Sequence, residues 1–307
     1  MISPINKYLA PRRLVLLLAA AFTAGCTSVP TQHTPLPPVV IAAPTVPRPP
    51  IIGLALGGGA ARGFAHIGVI QVLEEAGIRP NLVVGTSAGS VVAALYASGK
   101  SGRELQRVAE SMDEASFSDW RLPFFKPGVL KGQALARFIS GQVGGRQIQD
   151  LPVPLGVVAT DLHSGQGILF QRGDAATAVR ASSAIPAVFE PVLIAGHEYV
   201  DGGLVAPVPV QFTRQMGAQV VIAVDISAGP QSNAALDTFQ ILMQTFSIMG
   251  KSINAFELRD ADVVIRPALN GLSSASFTSR AEAIAAGRQA MLPLIGTLRN
   301  AIQAKSR

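Results

Sequence analysis

The pentapeptide Gly85-Thr86-Ser87-Ala88-Gly89 fits G-x-S-x-G, the pattern in which a serine sits on a sharp turn between a strand and a helix. Its neighbours supply that context. Leu82-Val83-Val84 reads as a buried strand before it, and residues 90–97 read as a helix after it. Such a turn exposes the Ser87 hydroxyl at the sheet edge, over a helix N-terminus whose dipole favours developing negative charge. Ser87 is therefore a candidate nucleophile; the other reading is an inert serine capping a tight turn. Gly85 and Gly89 would let neighbouring chain pass close by.

A nucleophilic serine needs a base. Of the four histidines, His33 lies in a proline-rich stretch and His66 lies one turn into a predicted helix, a structural position. His163 and His197 sit near predicted strand ends and are candidates for a Ser-His-Asp arrangement. Asp201, in Tyr199-Val200-Asp201-Gly202-Gly203, is the more persuasive partner. It follows a short strand, and Gly202 and Gly203 allow it to approach another backbone closely. A carboxylate that merely caps its own turn is the alternative. Asp161 and Asp225 also end strand-like runs and read as caps.

The run Gly57-Gly58-Gly59-Ala60-Ala61-Arg62-Gly63 admits two uses. A glycine-rich loop between strand and helix could cradle a dinucleotide phosphate. It lacks the second glycine of G-x-G-x-x-G, however, and the Lys-Ser/Thr ending of a P-loop. The alternative is an oxyanion hole built from its backbone N–H groups, with Arg62 holding the loop or an anionic head group. The nearby serine turn favours the oxyanion hole.

The elements that must position these residues alternate. Strands are predicted at 51–56, 82–85, 155–160, 168–171, 198–200, 220–224 and 263–265. Helices are predicted at 64–76, closed by Gly77, at 90–97, and as one long segment at 279–304. That order implies an α/β fold of three layers, α/β/α, with a mostly parallel central sheet covered on both faces. Residues 114–145, rich in glycine and aromatic side chains, read as the least regular part, a cap or lid.

The N-terminal region reads as an address. Lys7, Arg12 and Arg13 precede the nine apolar residues Leu14 to Phe22, which span roughly 14 Å as a helix, half a bilayer core. This is a signal h-region, and Thr23-Ala24-Gly25-Cys26 after it resembles a bacterial lipobox. The reading assigns 1–25 to a lipoprotein signal peptide, Cys26 to lipidation and 26–50 to a tether. Eight prolines fall between Thr27 and Pro50, so extended polyproline geometry is expected there. Thr27, not Asp, follows Cys26, which points to the outer membrane, facing the periplasm.

Composition narrows the function classes. Apolar residues make up 49% and charged residues 14%, which excludes disorder over most of the length. Half of the net charge of +6 precedes Cys26, leaving too little positive charge for a nucleic-acid track. A single cysteine excludes an internal disulfide framework, and neither the histidines nor the acids show metal-ligand spacing. No cofactor is implied.

Four blocks in order, Gly57 to Gly63, Gly85 to Gly89, Ala181-Ser182-Ser183-Ala184-Ile185-Pro186-Ala187-Val188-Phe189-Glu190-Pro191, and Asp201-Gly202-Gly203, resemble those of the bacterial patatin-like phospholipases. The resemblance covers residues 51–299 and places one such domain at 51–307. It implies a Ser-Asp dyad without a catalytic histidine, Ser87 as nucleophile and Asp201 as base, acting on phospholipids or lysophospholipids. Ala60 stands where many relatives have glycine, acceptable unless φ there is positive. The Ala181 to Pro191 block would pack a helix end against the site floor, with no catalytic role for Ser182 or Ser183. Acyl transfer by the same dyad, or lipid or partner binding without catalysis, are the alternative functions. Palmitate should label the wild-type chain in a lipoprotein-competent bacterium and fail to label Cys26→Ala; label retained by the variant would refute the lipobox.

Overall fold

In a computed structural model of the chain, the described residues are 48–112, 130–227, 237–272 and 277–306. The residues read as a signal segment, Cys26 and nearly all of those read as a tether lie outside them.

The strands are β1 (Ile52–Leu56), β2 (Leu82–Thr86), β3 (Leu155–Asp161), β4 (Gly167–Phe170), β5 (Val192–Ile194), β6 (His197–Asp201), β7 (Val220–Val224) and β8 (Val263–Ile265). The helices are α1 (Ala65–Glu75), α2 (Ala88–Ala97), α3 (Gly102–Ser111), α4 (Gln133–Val143), α5 (Ala175–Ser182), α6 (Val210–Gln215), α7 (Thr238–Glu257), α8 (Arg280–Met291) and α9 (Ile295–Lys305). The sheet runs β5-β6-β3-β2-β1-β7-β8, with β4 also paired to β3. From β3 to β8 along this order neighbours are parallel, whereas β4, β5 and β6 pair antiparallel. The sheet is therefore mixed: the parallel half matches expectation, and the antiparallel half joins two short hairpins, β3–β4 and β5–β6, through the long-range pairing of β3 with β6.

Alternation along the central strands builds two unequal cores, beside a third small cluster of Ala159, Ala181, Val188, Val192 and Tyr199 at the antiparallel side. Leu54, Leu56, Val83, Val220, Ile222 and Val224 face a large cluster with α1, α2, α3, α5 and α8, while Ala55, Leu82, Val84, Val221 and Ala223 face a small one with Val208 and Val210. Both sheet faces are thus covered, as buried parallel strands require.

Three expectations need correction. The long C-terminal helix is broken at Leu292–Leu294, a single 3-10 turn with Pro293 near its start, because proline has no N–H to donate and its ring crowds the preceding turn. In the stretch read as irregular, 133–143 is the regular helix α4. Two of the glycines here are terminators: Gly132 and Gly144 hold left-handed φ of 64° and 67° at the two ends of α4, while Gly141 lies within it. The rest of that stretch up to 129 lies outside the described residues. Strand β5 was unforeseen; it joins β6 through Ala195-Gly196, both at positive φ (50° and 85°), as a two-residue turn of the primed type requires.

Helices α1 and α8 cross through glycine. A Cβ on Gly68 would collide with Ile284 O, and one on Gly287 with Ala65 O, so each backbone fills the other's missing side chain. Gly287→Ala should therefore lower stability by about 2 kcal/mol, read as a fall in urea midpoint at unchanged m-value.

Candidate active site

The register of β3 assembles the site. β4 pairs with residues Val157 to Thr160, so it occupies one edge of β3 alone. β2 and β6 share the other edge: β2 ends with Thr86 opposite Val158, and β6 ends with Asp201 opposite Ala159. Two strands of opposite direction thus abut at adjacent residues of a third. Ser87 and Asp201, 114 positions apart in sequence, meet there, and Ser87 Oγ donates to Asp201 Oδ2 at 2.6 Å.

Ser87 is strained. Its φ of 52° and ψ of −124° are rare for a residue with a side chain and cost on the order of 1–3 kcal/mol. Gly85 and Gly89 make the turn possible through space: a Cβ on Gly85 would strike Gly89 O, and one on Gly89 would strike Leu56 O. Ser87 N donates to Ser182 Oγ at 2.8 Å, and Ser182 Oγ donates to Val158 O at 2.6 Å. Ser182, read from sequence as a small residue at a crowded turn, therefore pins the strained residue to β3. The Ser87 side chain caps nothing, while Ser90 Oγ donates to Ser87 O at 2.6 Å.

Asp201 uses its two oxygens separately. Its Oδ1 caps its own turn, accepting from Gly203 N at 2.7 Å, while Oδ2 accepts from Ser87 Oγ. Its backbone is fixed by Asp201 N donating to Ala184 O at 2.9 Å and Thr160 Oγ1 donating to Asp201 O at 2.9 Å. Gly202 leaves room for Val158 O. The Ala181 to Pro191 block thus supports the site from below, through Ser182 and Ala184. Burial pushes the Asp201 carboxyl up to about 6, against the opposing pull of the Ser87 hydroxyl and the Gly203 amide.

The glycine loop lies against the serine. A Cβ on Gly58 would stand 3.1 Å from Ser87 Cβ and 3.9 Å from Ser87 Oγ. Not all its amides are free. Gly57 N donates to Val224 O at 3.0 Å and Gly58 N to Pro207 O at 2.9 Å, so these two anchor the loop to its neighbours. Among the described residues the amides of Gly59 and Ala60 have no acceptor. Gly63 packs against Ala88, where its Cβ would stand 3.0 Å away. Ala60 does sit at positive φ, 51°, the condition under which glycine would be the easier residue. Arg62 Nε donates to Gly59 O at 3.2 Å, which gives this side chain the loop-holding role. Burial lowers its pKa, while nearby Asp225 opposes the shift.

The histidines are engaged elsewhere. His66 is fully buried, and its Nε2 donates to Gly57 O at 2.8 Å, making it a clamp on the loop. Burial pushes its pKa down to about 4, so the ring is neutral at neutral pH. His163 pairs with Glu198 at 3.2 Å and His197 with Asp161 at 3.1 Å; neither bonds Ser87. Asp161 also accepts from Ser164 N and His163 N and is held down to about 2, chiefly by the Ser164 amide. Asp225 accepts from Ser227 N. Both are turn caps.

A narrow apolar cleft is bordered by Ala60 and by Ala88, the residue after Ser87, and lined by Phe64, Ile67, Val92 and Leu95. A larger groove of about 620 Å³ opens near Ile52, Arg79 and Arg299, at the opposite end of β1 from the glycine loop. Among the described residues no cluster of His, Cys, Asp and Glu could hold a metal ion.

Residues 54–213, just over half the chain, match the family model described as patatin-like phospholipase. The chain belongs to the patatin-like phospholipase family. An uncharacterised NTE family protein of Mycobacterium tuberculosis is 38% identical over 189 residues, 60% of this chain and 52% of that protein. Human patatin-like phospholipase domain-containing protein 6 is 36% identical over 209 residues, 66% of this chain and 15% of that protein. The chain thus spans about half the length, or less, of these curated relatives. Among solved structures it is similar to the ExoU–SpcU complex of the Pseudomonas aeruginosa type III secretion system, at TM-score 0.50 and 19% identity, covering 85% of this chain and 53% of that one. VipD from Legionella pneumophila gives TM-score 0.48 at 16% identity, covering 82% and 68%. The ExoU chain shares the α/β fold.

The raised Asp201 carboxyl gives a stability test. Its folded pKa lies above the unfolded value of 3.8, so its contribution is full below that value and is lost as pH rises through about 6. Asp201→Asn should therefore be more stable than wild type at pH 8, by about 3 kcal/mol. The advantage should vanish by pH 4, measured by urea unfolding at the two pH values.

Proposed function

We propose that this chain hydrolyses acyl esters of phospholipids or lysophospholipids, with Ser87 as nucleophile and Asp201 as general base. The observation that carries this reading is the buried 2.6 Å hydrogen bond from Ser87 Oγ to Asp201 Oδ2. As Ser87 Oγ attacks the ester carbonyl, its proton passes to Asp201. An ordinary aspartate is a poor base for a hydroxyl, and burial improves it by raising its pKa towards the working range.

The tetrahedral oxyanion would be held by the amides of Gly59 and Ala60, each worth roughly 3 kcal/mol, with the N-terminus of α2 behind Ser87 adding favourable dipole. Asp201 then returns the proton to the departing alcohol, leaving an acyl-Ser87 ester. A water deprotonated by Asp201 attacks that ester, the bond to Ser87 Oγ breaks as Asp201 returns the proton to that oxygen, and the fatty acid leaves. The cleft beside Ala60 and Ala88 supplies apolar wall for the acyl chain. On this reading the lipobox-like segment and the proline-rich stretch tether the enzyme to the outer membrane, at its substrate.

Ser87→Ala should lose labelling by a fluorophosphonate probe, and both Ser87→Ala and Asp201→Asn should lower ester hydrolysis by about 10³-fold or more. The wild-type rate should rise with pH through about 6, because the base must be ionised. Full activity in Asp201→Asn with loss in a His163 or His197 variant would overturn the dyad.

A further inference from the structure

Helix α7 leaves much apolar surface outside. Its buried described residues are Gly250, seated against Pro207, and Asn254, whose Oδ1 accepts from Val208 N at 3.2 Å and whose Nδ2 donates to Ser227 Oγ at 3.3 Å; Met243, Phe246 and Ile253 are half-buried, and Glu257 accepts from Gln211 N. Ile241, Thr245, Ile248, Ser252 and Phe256 follow helical spacing and form one stripe, and all five are exposed. Ile241, Ile248 and Phe256 keep 54, 50 and 67% of their surface in solvent, and Met249 beside them 47%. A surface helix in contact with water alone turns such residues inward, and no described residue covers this face.

Three observations select the occupant. The hydroxyls in the stripe are already satisfied: Thr245 Oγ1 donates to Ile241 O at 2.9 Å and Ser252 Oγ to Ile248 O at 3.2 Å. Hydroxyls turned back onto their own helix can enter hydrocarbon without an unpaired donor. Cations flank the apolar face: Lys251 is exposed, and the Arg259 guanidinium lies 5.0 Å above the Phe256 ring. Long basic side chains beside an apolar helix face suit anionic head groups. The stripe also adjoins the site. α7 packs on the Gly202–Leu204 turn that follows Asp201, and Pro207, under Gly250, accepts the Gly58 amide.

We propose that α7 is a membrane-docking helix that lies in the plane of a phospholipid bilayer surface, with Ile241, Ile248, Met249 and Phe256 among the acyl chains, and so brings the bilayer to the adjoining Ser87–Asp201 pair. The inference rests on the lipid-hydrolase reading. No described helix is long and apolar enough to cross a membrane, which agrees with an in-plane helix.

The test uses the chain from position 26 onward carrying Cys26→Ser, so that neither an acyl chain nor the apolar segment Leu14 to Phe22 contributes, with and without Ile248→Glu plus Phe256→Glu. Flotation with phosphatidylethanolamine–phosphatidylglycerol vesicles should show partitioning reduced about tenfold or more in the double variant. Hydrolysis of vesicle phospholipid should fall alongside it, while hydrolysis of a short soluble ester and the unfolding midpoint stay unchanged. Unchanged partitioning overturns the proposal; so does a wild-type dimer that the variant converts to monomer without loss of vesicle binding, since a second copy then covers the stripe. Should neither protein hydrolyse any ester, the lipid-hydrolase reading fails, and flotation still decides docking. If the double variant does not fold, Phe256→Trp serves: its emission should shift to the blue on vesicles, and no shift overturns docking.

Discussion

One edge of β3 carries the architecture of the site. A parallel strand arriving from one side and an antiparallel strand arriving from the other stop at Val158 and Ala159, and the two chain ends that would otherwise clash are the two functional groups. The main-chain bonds of three strands fix where a hydroxyl and a carboxylate stand. Their separation is therefore set by backbone geometry, which tolerates little drift, and not by long flexible side chains. Ser182 completes this arrangement by bridging the Ser87 amide to Val158 O, so the strain at Ser87 is borne by the same strand that sets the distance.

Electrostatics follows from the same packing. Bringing Asp201 under the turn removes it from water, and desolvation raises its pKa more than its two hydrogen bonds lower it. Asp161, only two registers away on β3, goes the other way because turn amides and a hydroxyl surround it. Two carboxylates that end neighbouring antiparallel strands, β3 and β6, are thus driven apart in basicity by what each accepts. The surrounding hydrogen bonds differ: one donor amide for Asp201 Oδ1, several donors for Asp161 Oδ1.

Much of this was legible in the sequence. Ser87 between its glycines and Asp201 before its glycines are marked by short apolar runs that end at them, and β1, β2, β3 and β7 fell where continuous apolar stretches placed them. What was not legible depended on contacts between distant segments. That Ser182 holds Ser87 cannot be read from a serine at a helix end, because its acceptor lies on another strand. Likewise, which loop amides remain free depends on Val224 O and Pro207 O arriving to take those of Gly57 and Gly58. Local signals misled in opposite ways at the ends of helices. Gly132 and Gly144 looked like irregularity and are caps, whereas the apolar spacing around Pro293 hid a break that proline chemistry demands.

The anchoring of the glycine loop has a consequence for domain boundaries. β7, which supplies Val224 O, lies beyond residue 213, where the match to the family model stops. A fragment trimmed to the matched residues would leave β1 as an unpaired sheet edge and release the Gly57 amide from its acceptor. The recognisable segment is thus shorter than the smallest piece able to keep its own loop in shape, and the less recognisable C-terminal third belongs to the same working unit.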